Sequence, residues 1–246
     1  MSEKFLIKKS SPYDTSFDKI GREIISEKIR ERLKEVDYLN LLIIGSPDCK
    51  EINSLTKEER EKINIRVFDF EIKRKIIDDA FVSSFNSCNV FSGNFFININ
   101  SLLEESFYPD IIFHRWFLHH CTDEQKIKSF EIVLNMLKRD QKGELIFIDW
   151  FIPDFNNDEK LEWENTVKYY EYHEKHNIAP ARTKWKTKFK NRKKEDGQGG
   201  KFTSIQNIES MMNSLNFEYE RIVLGENLVD NPLLFGQNLY FCKLKR

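Results

Sequence analysis

The chain has 246 residues, a formal net charge of −1 and 32% charged residues. Its length allows one sizeable α/β core with at most a small lid, and its near-zero charge excludes a polycation that binds nucleic acid over its whole surface. The four cysteines have no Cys-x-x-Cys spacing, and neither a signal peptide nor a long apolar run is present, so we expect a cytoplasmic protein without a membrane partner.

The first part of the chain, residues 1–38, is predicted to be an N-terminal helical segment. Between residues 16 and 36, apolar residues recur at steps of three to five positions beside charged ones, which is typical of an amphipathic helix. Residues 39–246 are predicted to form the main domain. The sequence does not indicate an oligomeric state.

The main domain begins with alternating strands and helices. The apolar run at residues 39–44 predicts a buried strand that turns sharply at Gly45. The elements predicted after it are a short helix at 49–62, a strand at 63–70, a helix at 72–82 and a weak strand at 89–91. This alternation predicts a mostly parallel sheet with helices on both faces.

The segment PDIIFHRWFLHHCTDEQ, residues 109–125, joins a buried strand to two histidines and a helix start. The strand is predicted at 111–117 and the helix at 123–137, with Thr122 as N-cap and Gln125 closing a capping box. A further strand at 144–148 ends at Asp149. Open α/β sheets bind ligands beyond the carboxyl ends of their strands, so a site is expected here.

The composition changes after Pro153, and residues 154–200 are predicted to be a helical lid insertion. This segment is polar, aromatic and basic, and it contains a predicted helix at 158–175. Thr203 or Ser204 is the expected cap of a helix that runs to residue 215. Predicted strands at 217–224 and 238–243 form a closing hairpin.

Several of these segments resemble the class I S-adenosylmethionine (SAM)-dependent methyltransferases, and WFLHHCTDEQ resembles their small-molecule O-methyltransferases. The resemblance covers residues 39–246 and implies SAM as the cofactor. It implies a Rossmann-like class I methyltransferase fold with a mostly parallel seven-stranded sheet and an antiparallel C-terminal hairpin. The chain departs from the family pattern at the glycine turn, where Ile43 replaces an acid and Pro47 and Cys49 replace two glycines.

Two positions near the first two strands are predicted to bind the cofactor. Gly45 permits a tight turn and a close approach to a ligand. Asp69 lies 24 residues beyond it, where an acidic residue accepts hydrogen bonds from ribose hydroxyls, with Glu71 as the alternative ligand.

Three further positions complete the predicted cofactor set. Asp48 either replaces the missing acid of the glycine turn or caps the following helix. Asn94 resembles the family's acidic residue that reads the adenine amino group, or else it serves a turn after Gly93. Arg115, at the carboxyl end of the predicted fourth strand, is also included.

His119 and Asp149 are the predicted catalytic residues. The resemblance implies that His119 abstracts a proton from a substrate hydroxyl, a task that suits histidine because its unperturbed pKa lies near neutrality. The alternative is a structural histidine bonded to backbone, and His120 is expected to pack into the helix and loop. Asp149 would orient His119 or the substrate, or cap the entry to the lid.

Aromatic residues around the lid are predicted to line an apolar substrate pocket, with Trp150, Tyr169 and Trp185 as substrate-binding candidates. Residues 182–194 are basic with interleaved aromatics, and they form either a solvated part of the lid or a nucleic-acid contact. No metal is expected, because the histidines form no His-Glu-x-x-His or Cys/His ligand set.

The predicted function is methyl transfer from SAM to a hydroxyl or amine of a small molecule. The first alternative is an RNA or tRNA methyltransferase that uses the basic lid. The second is a catalytically inactive methyltransferase-fold protein with a binding or regulatory role, which the altered glycine turn favours.

Overall fold

The structure is a computed structural model. It describes residues 16–46, 49–69, 79–93, 95–96, 107–115, 117–118, 121–140, 142–149, 151–154, 158–175, 203–224 and 237–245. Within these ranges, only the backbone is described at residues 16–18, 79, 138–140, 152, 159, 162–163, 166, 169–170 and 173–174.

A seven-stranded sheet forms the centre of the described chain. Its strands are β1 (Leu39–Ile44), β2 (Ile63–Asp69), β3 (Ser87–Ser92), β4 (Ile111–Arg115), β5 (Glu144–Asp149), β8 (Phe217–Leu224) and β9 (Gln237–Leu244). The spatial order is β3-β2-β1-β4-β5-β9-β8, in which β9 alone runs antiparallel to both of its neighbours. The predicted parallel sheet with an antiparallel terminal hairpin is confirmed.

A second, small pairing joins two segments that are distant in the chain. Strand β6 (Phe151–Ile152) pairs in parallel with β7 (Thr203–Ser204). The two strands flank the predicted lid insertion, so they bring its entry and its exit together. The described part of the insertion contains a helix at the predicted place, capped by Asp158, whose Oδ1 accepts the backbone N–H of Lys160 at 2.9 Å.

Helices pack on both faces of the sheet. They are α1 (Ser16–Leu33), α2 (Lys57–Arg60), α3 (Asp79–Val82), α4 (Asp123–Asp140), α5 (Glu159–Lys175) and α6 (Ile205–Ser214), with a 3-10 turn at Lys50–Ile52. None of the helices in the described ranges is both long and apolar enough to cross a membrane.

Alternate residues of the central strands enter two apolar cores. In β1, Leu41 and Ile43 join the core that contains Ile25 and Ile29 of α1, whereas Leu42 and Ile44 join the core under α4 and α6. Because both faces are covered, these strands are mostly apolar, as in residues 41–44 of β1. Fully burying one such side chain stabilises the fold by about 1.5–3 kcal/mol, so the cores hold the strand ends in register.

Several predicted elements differ in extent from those of the structure. The single helix predicted at 49–62 is wrong, because Cys49 has a left-handed backbone (φ 44°) and Thr56 begins a new helix through a capping box with Glu59. Strand β4 ends at Arg115 instead of residue 117. Of the helix predicted at 72–82, the described residues contain only α3.

Candidate functional site

The carboxyl ends of four neighbouring parallel strands meet at one edge of the sheet. In the register, Ile44 of β1 lies between Phe68 of β2 and His114 of β4, and Arg115 is paired with Ile148 of β5. The residues that end these strands are therefore neighbours, although they come from distant parts of the sequence. This is the edge at which open α/β sheets bind ligands.

Gly45 turns the chain at the end of β1. Its φ is 77°, and its N–H donates to the carbonyl oxygen of Phe68 at 2.9 Å. A Cβ at this position would lie 2.5 Å from the carbonyl oxygen of Arg115 and 3.0 Å from Cβ of Phe117. The glycine is thus required both by its conformation and by the close approach of the segment after β4.

Three buried side chains beneath this turn form a network, which we call the Ser46–Glu51–Arg115 network. Nη1 of Arg115 donates to Oε1 of Glu51 at 2.6 Å and to Oγ of Ser46 at 3.3 Å. Oγ of Ser46 in turn donates to Oε2 of Glu51 at 2.7 Å. Arg115 was predicted to be a cofactor ligand; the structure places its guanidinium in this ion pair, and direct contact with a cofactor stays a prediction.

Asp69 is the last residue of β2 and is partly exposed, whereas the three residues before it are buried. Its backbone pairs with Ser92 of β3, and its carbonyl oxygen accepts the N–H of Gly93 at 3.1 Å. The acidic side chain is therefore held at the edge that also carries the Gly45 turn. A carboxylate at this place can accept hydrogen bonds from two vicinal hydroxyl groups.

Asp149 ends β5 and is 1% exposed. Its Oδ2 accepts the backbone N–H of Leu118 at 2.8 Å. The carboxylate therefore fixes the chain immediately before His119 and His120, which themselves lie outside the described residues. A buried carboxylate with a backbone partner has a fixed orientation, which is what a positioning role requires.

His114 is a buried histidine that sequence reasoning did not select. It is fully buried in β4, contacts the ring of Phe117 edge-on with 5.4 Å between centroids, and has no hydrogen-bond partner for either ring nitrogen among the described residues. Burial lowers the pKa of His114 to about 3, and the nearby Asp149 only partly opposes this shift. The ring is therefore neutral near pH 7 and has no access to solvent.

The helix that follows the predicted catalytic loop begins as expected. Oγ1 of Thr122 accepts the N–H of Gln125 at 3.3 Å, and Oε1 of Gln125 accepts the N–H of Thr122 at 3.0 Å. The capping box is confirmed. Burial also raises the pKa of Cys121 to about 12, so this thiol is not ionised near neutrality.

Several predicted site residues lie outside what the structure describes. Asp48, Asn94, His119, Trp150 and Trp185 belong to this group, and of Tyr169 only the backbone is described. Their roles stay predictions. Among the described residues, no group of three or more His, Cys, Asp or Glu side chains could hold a metal ion.

Sequence reasoning missed Ser46, Glu51 and His114. Glu51 and Arg115 are 64 positions apart, and no local sequence pattern predicts their ion pair. Ser46 is adjacent to Gly45, which was a usable signal, since the residue after a glycine turn lies inside the same site. His114 lies within a mostly apolar strand, and the sequence indicates neither a metal-ligating nor a catalytic role for it.

Comparisons with protein-family models and with curated protein sequences give no match. Similar solved structures include the CurJ carbon methyltransferase (TM-score 0.54, 12% identity), the S-adenosylmethionine-dependent methyltransferase SibL in its apo form (0.53, 11%) and an O-methyltransferase family protein from Burkholderia thailandensis (0.52, 8%). These structures align with 94%, 93% and 94% of this chain, respectively. This chain spans 56%, 56% and 60% of the length of those chains. The chain has the class I SAM-dependent methyltransferase fold, as predicted.

Proposed function

We propose that this chain is a SAM-dependent methyltransferase that transfers a methyl group to a hydroxyl or amine of a small molecule. The observation that carries the proposal is the placement of Gly45 and Asp69 at adjoining strand ends, with Ile44 and Phe68 in register one residue before each. A tight turn beside an acidic strand end is suited to a nucleoside. The sequence alone predicts both residues as cofactor ligands.

The described residues fit the cofactor in their chemistry. The partly exposed carboxylate of Asp69 would accept the ribose hydroxyls, and the Gly45 turn would lie against the cofactor. When bound, SAM supplies a methyl group activated by its sulfonium. The tasks left to the protein are to align an acceptor with that methyl group, to take a proton from the acceptor and to exclude water.

The segment after β4 is the natural place for the base. His114 is unsuited to proton abstraction, because it is fully buried and its pKa is lowered to about 3. His119 follows Leu118, whose N–H is held by Asp149. We infer that His119 takes the proton and that Asp149 acts as a positioning residue for the backbone that carries it.

The substrate class rests on the aromatic residues around the lid. Trp150, Tyr169 and Trp185 would form an apolar pocket, and the near-zero net charge disfavours a polyanionic substrate. The fold does not fix the acceptor atom, since its neighbours include a carbon methyltransferase and an O-methyltransferase family protein. We propose hydroxyl and amine acceptors because a histidine base can take a proton from either group.

Thermal unfolding in the presence of S-adenosylhomocysteine tests the proposal. A ligand at 100 times its Kd stabilises the native state by about 2.7 kcal/mol, so Tm should rise with SAM or S-adenosylhomocysteine and not with ATP at the same concentration. Mass spectrometry of the purified protein would detect any cofactor that it retains. No shift at about 1 mM ligand, roughly a thousand times a micromolar Kd, would favour the inactive binding protein.

Turnover of His119→Ala tests the base, with His120→Ala as the matched control. We expect the first change to lower methyl transfer from labelled SAM roughly a hundredfold, at unchanged cofactor affinity, measured on the best acceptor from a panel of phenols and amines. His120→Ala should retain most of the activity. Intact turnover with a lowered Tm in His119→Ala would assign the ring to the fold.

Retention of RNA by the protein tests whether the substrate is a nucleic acid instead of a small molecule. We expect replacement of Lys184, Lys186, Lys188 and Lys190 by Ser to change RNA retention little at about 0.15 M salt, where exposed charges are screened beyond about 8 Å. Salt-sensitive binding of tRNA that these changes abolish would instead support an RNA methyltransferase.

A further inference from the structure

The Ser46–Glu51–Arg115 network is unusual because it buries a complete ion pair next to the predicted cofactor turn. Arg115 is 4% exposed, Glu51 is 1% exposed and Ser46 is 0% exposed. Both oxygens of the Glu51 carboxylate have a donor, one from Arg115 and one from Ser46. The pair is therefore desolvated, and the Glu51 carboxylate is satisfied on both oxygens within the network.

The network connects the elements that surround the turn. Ser46 continues from β1, Glu51 belongs to the 3-10 turn, and Arg115 ends β4. The carbonyl oxygen of Glu51 also accepts a hydrogen bond from Oγ of Ser26 in α1, with 2.6 Å between the two oxygens. One charge pair thus ties the two sides of the turn to the strand that leads to His119.

Such a pair contributes little net stability, because the cost of desolvating two charges offsets most of their attraction. The pair instead fixes the relative positions of the residues that it joins. The turn lacks two of the glycines of the family pattern, and Cys49 is held with a left-handed backbone at φ 44°, a conformation that non-glycine residues rarely adopt. The surrounding structure has to impose this shape, and the carbonyl oxygen of Ser46, a member of the network, accepts the N–H of Cys49 at 3.2 Å.

We propose that Arg115 and Glu51 act as one positioning unit that holds the glycine turn in the form that accepts the cofactor. In this account Arg115 acts through Glu51 and Ser46, not as a ligand of the cofactor. The inference rests on the proposed function, since it assigns a role within the same site.

A double-mutant cycle on cofactor affinity tests the inference. The variants are Arg115→Met, Glu51→Gln and their combination, and calorimetry measures Kd for S-adenosylhomocysteine at a temperature at which each variant is folded. We expect each single change to weaken binding about tenfold, or about 1.4 kcal/mol. The combination should weaken binding no further than the singles, because residues that act as one unit are not additive.

Two further variants distinguish a loss of stability from a loss of cofactor binding. Met212→Ala removes a fully buried side chain of α6, in a different core from the one that contains Cys49; it should lower Tm and leave Kd within twofold of the wild type. Ser46→Ala removes only hydroxyl bonds, so it should fold even if Arg115→Met does not. We expect it to weaken binding severalfold.

The outcomes are distinguishable. Wild-type binding together with unchanged Kd in folded Glu51→Gln and Ser46→Ala would overturn the inference and leave the proposed function standing. A large loss in Arg115→Met with none in Glu51→Gln would also overturn it, since Arg115 would then be a direct ligand. Absence of wild-type binding would overturn both.

Discussion

The carboxylate of Asp149 accepts the backbone N–H of Leu118, with 2.8 Å between Oδ2 and N. Both residues are buried; Asp149 ends β5, and Leu118 follows the end of β4 in the segment that leads to His119. This bond links the last residue of one strand to the segment that leaves its neighbour. It fixes the backbone immediately before His119, the predicted catalytic base.

Removing this carboxylate should destabilise the protein. Asp149→Ala leaves the buried N–H of Leu118 without its acceptor, which costs about 1–3 kcal/mol. Asp149→Asn keeps an acceptor oxygen and should cost less. Chemical denaturation gives both free energies of unfolding, and an Asp149→Ala variant as stable as the wild type would contradict the role of this bond.

Gly45→Ala should destabilise the fold through its backbone. The native φ of 77° disfavours any side chain by about 1–3 kcal/mol, and the added Cβ would meet the Arg115 carbonyl oxygen at 2.5 Å. Gly21→Ala is the matched control, since its Cβ would meet Cδ1 of Ile148 at 2.6 Å and that side-chain end can rotate. Equal losses of Tm in the two variants would show that the backbone contact at Gly45 is unimportant.

His114 should make the protein sensitive to acid. Burial lowers its pKa to about 3 in the folded state, from 6.5 for an unperturbed histidine, so between these values the unfolded state binds more protons. Titration of His114 therefore leaves the free energy of unfolding unchanged above pH 6.5. As the pH decreases from 6.5 toward 3, this titration lowers the free energy of unfolding by up to about 1.4 kcal/mol per pH unit. The free energy of unfolding, measured from pH 7 to pH 4, gives this slope.

His114→Leu isolates the contribution of this ring. All other titratable groups are the same in both proteins, so the difference between the two slopes reports the His114 ring together with its interaction with Asp149. We expect a shallower loss of stability in acid for His114→Leu. Parallel curves for the two proteins would mean that the buried ring does not control the acid response.

Much of the fold could be predicted because its signals are local. The apolar run of β1 and the pattern of β8 predict their bounds correctly, since each is limited by turn residues, and the capping box of Thr122 and Gln125 predicts the start of α4. The pair β6–β7 could not be predicted, because two-residue strands about fifty positions apart carry no periodic signal. Thr56 and Glu59 did carry a capping-box signal, and it was overlooked.

The candidate site was predicted less completely. Gly45, Asp69 and Asp149 could be selected because each ends a recognisable apolar strand. The ion pair of Glu51 and Arg115 depends on how β1 and β4 lie side by side, a relation that only the folded sheet creates. The burial of His114 likewise follows from the packing of the helices on the sheet.

Calorimetric titration of the wild type and of Asp69→Ala with S-adenosylhomocysteine tests the central claim most directly. Asp37→Ala is the control, because this exposed acid lies before β1, at the opposite end of the strand from the site. We predict micromolar binding to the wild type and the control, about 8 kcal/mol, and a loss of about 1–3 kcal/mol in Asp69→Ala. Absence of heat with the wild type, or equal affinity of Asp69→Ala, would contradict the assignment of this edge as a cofactor site.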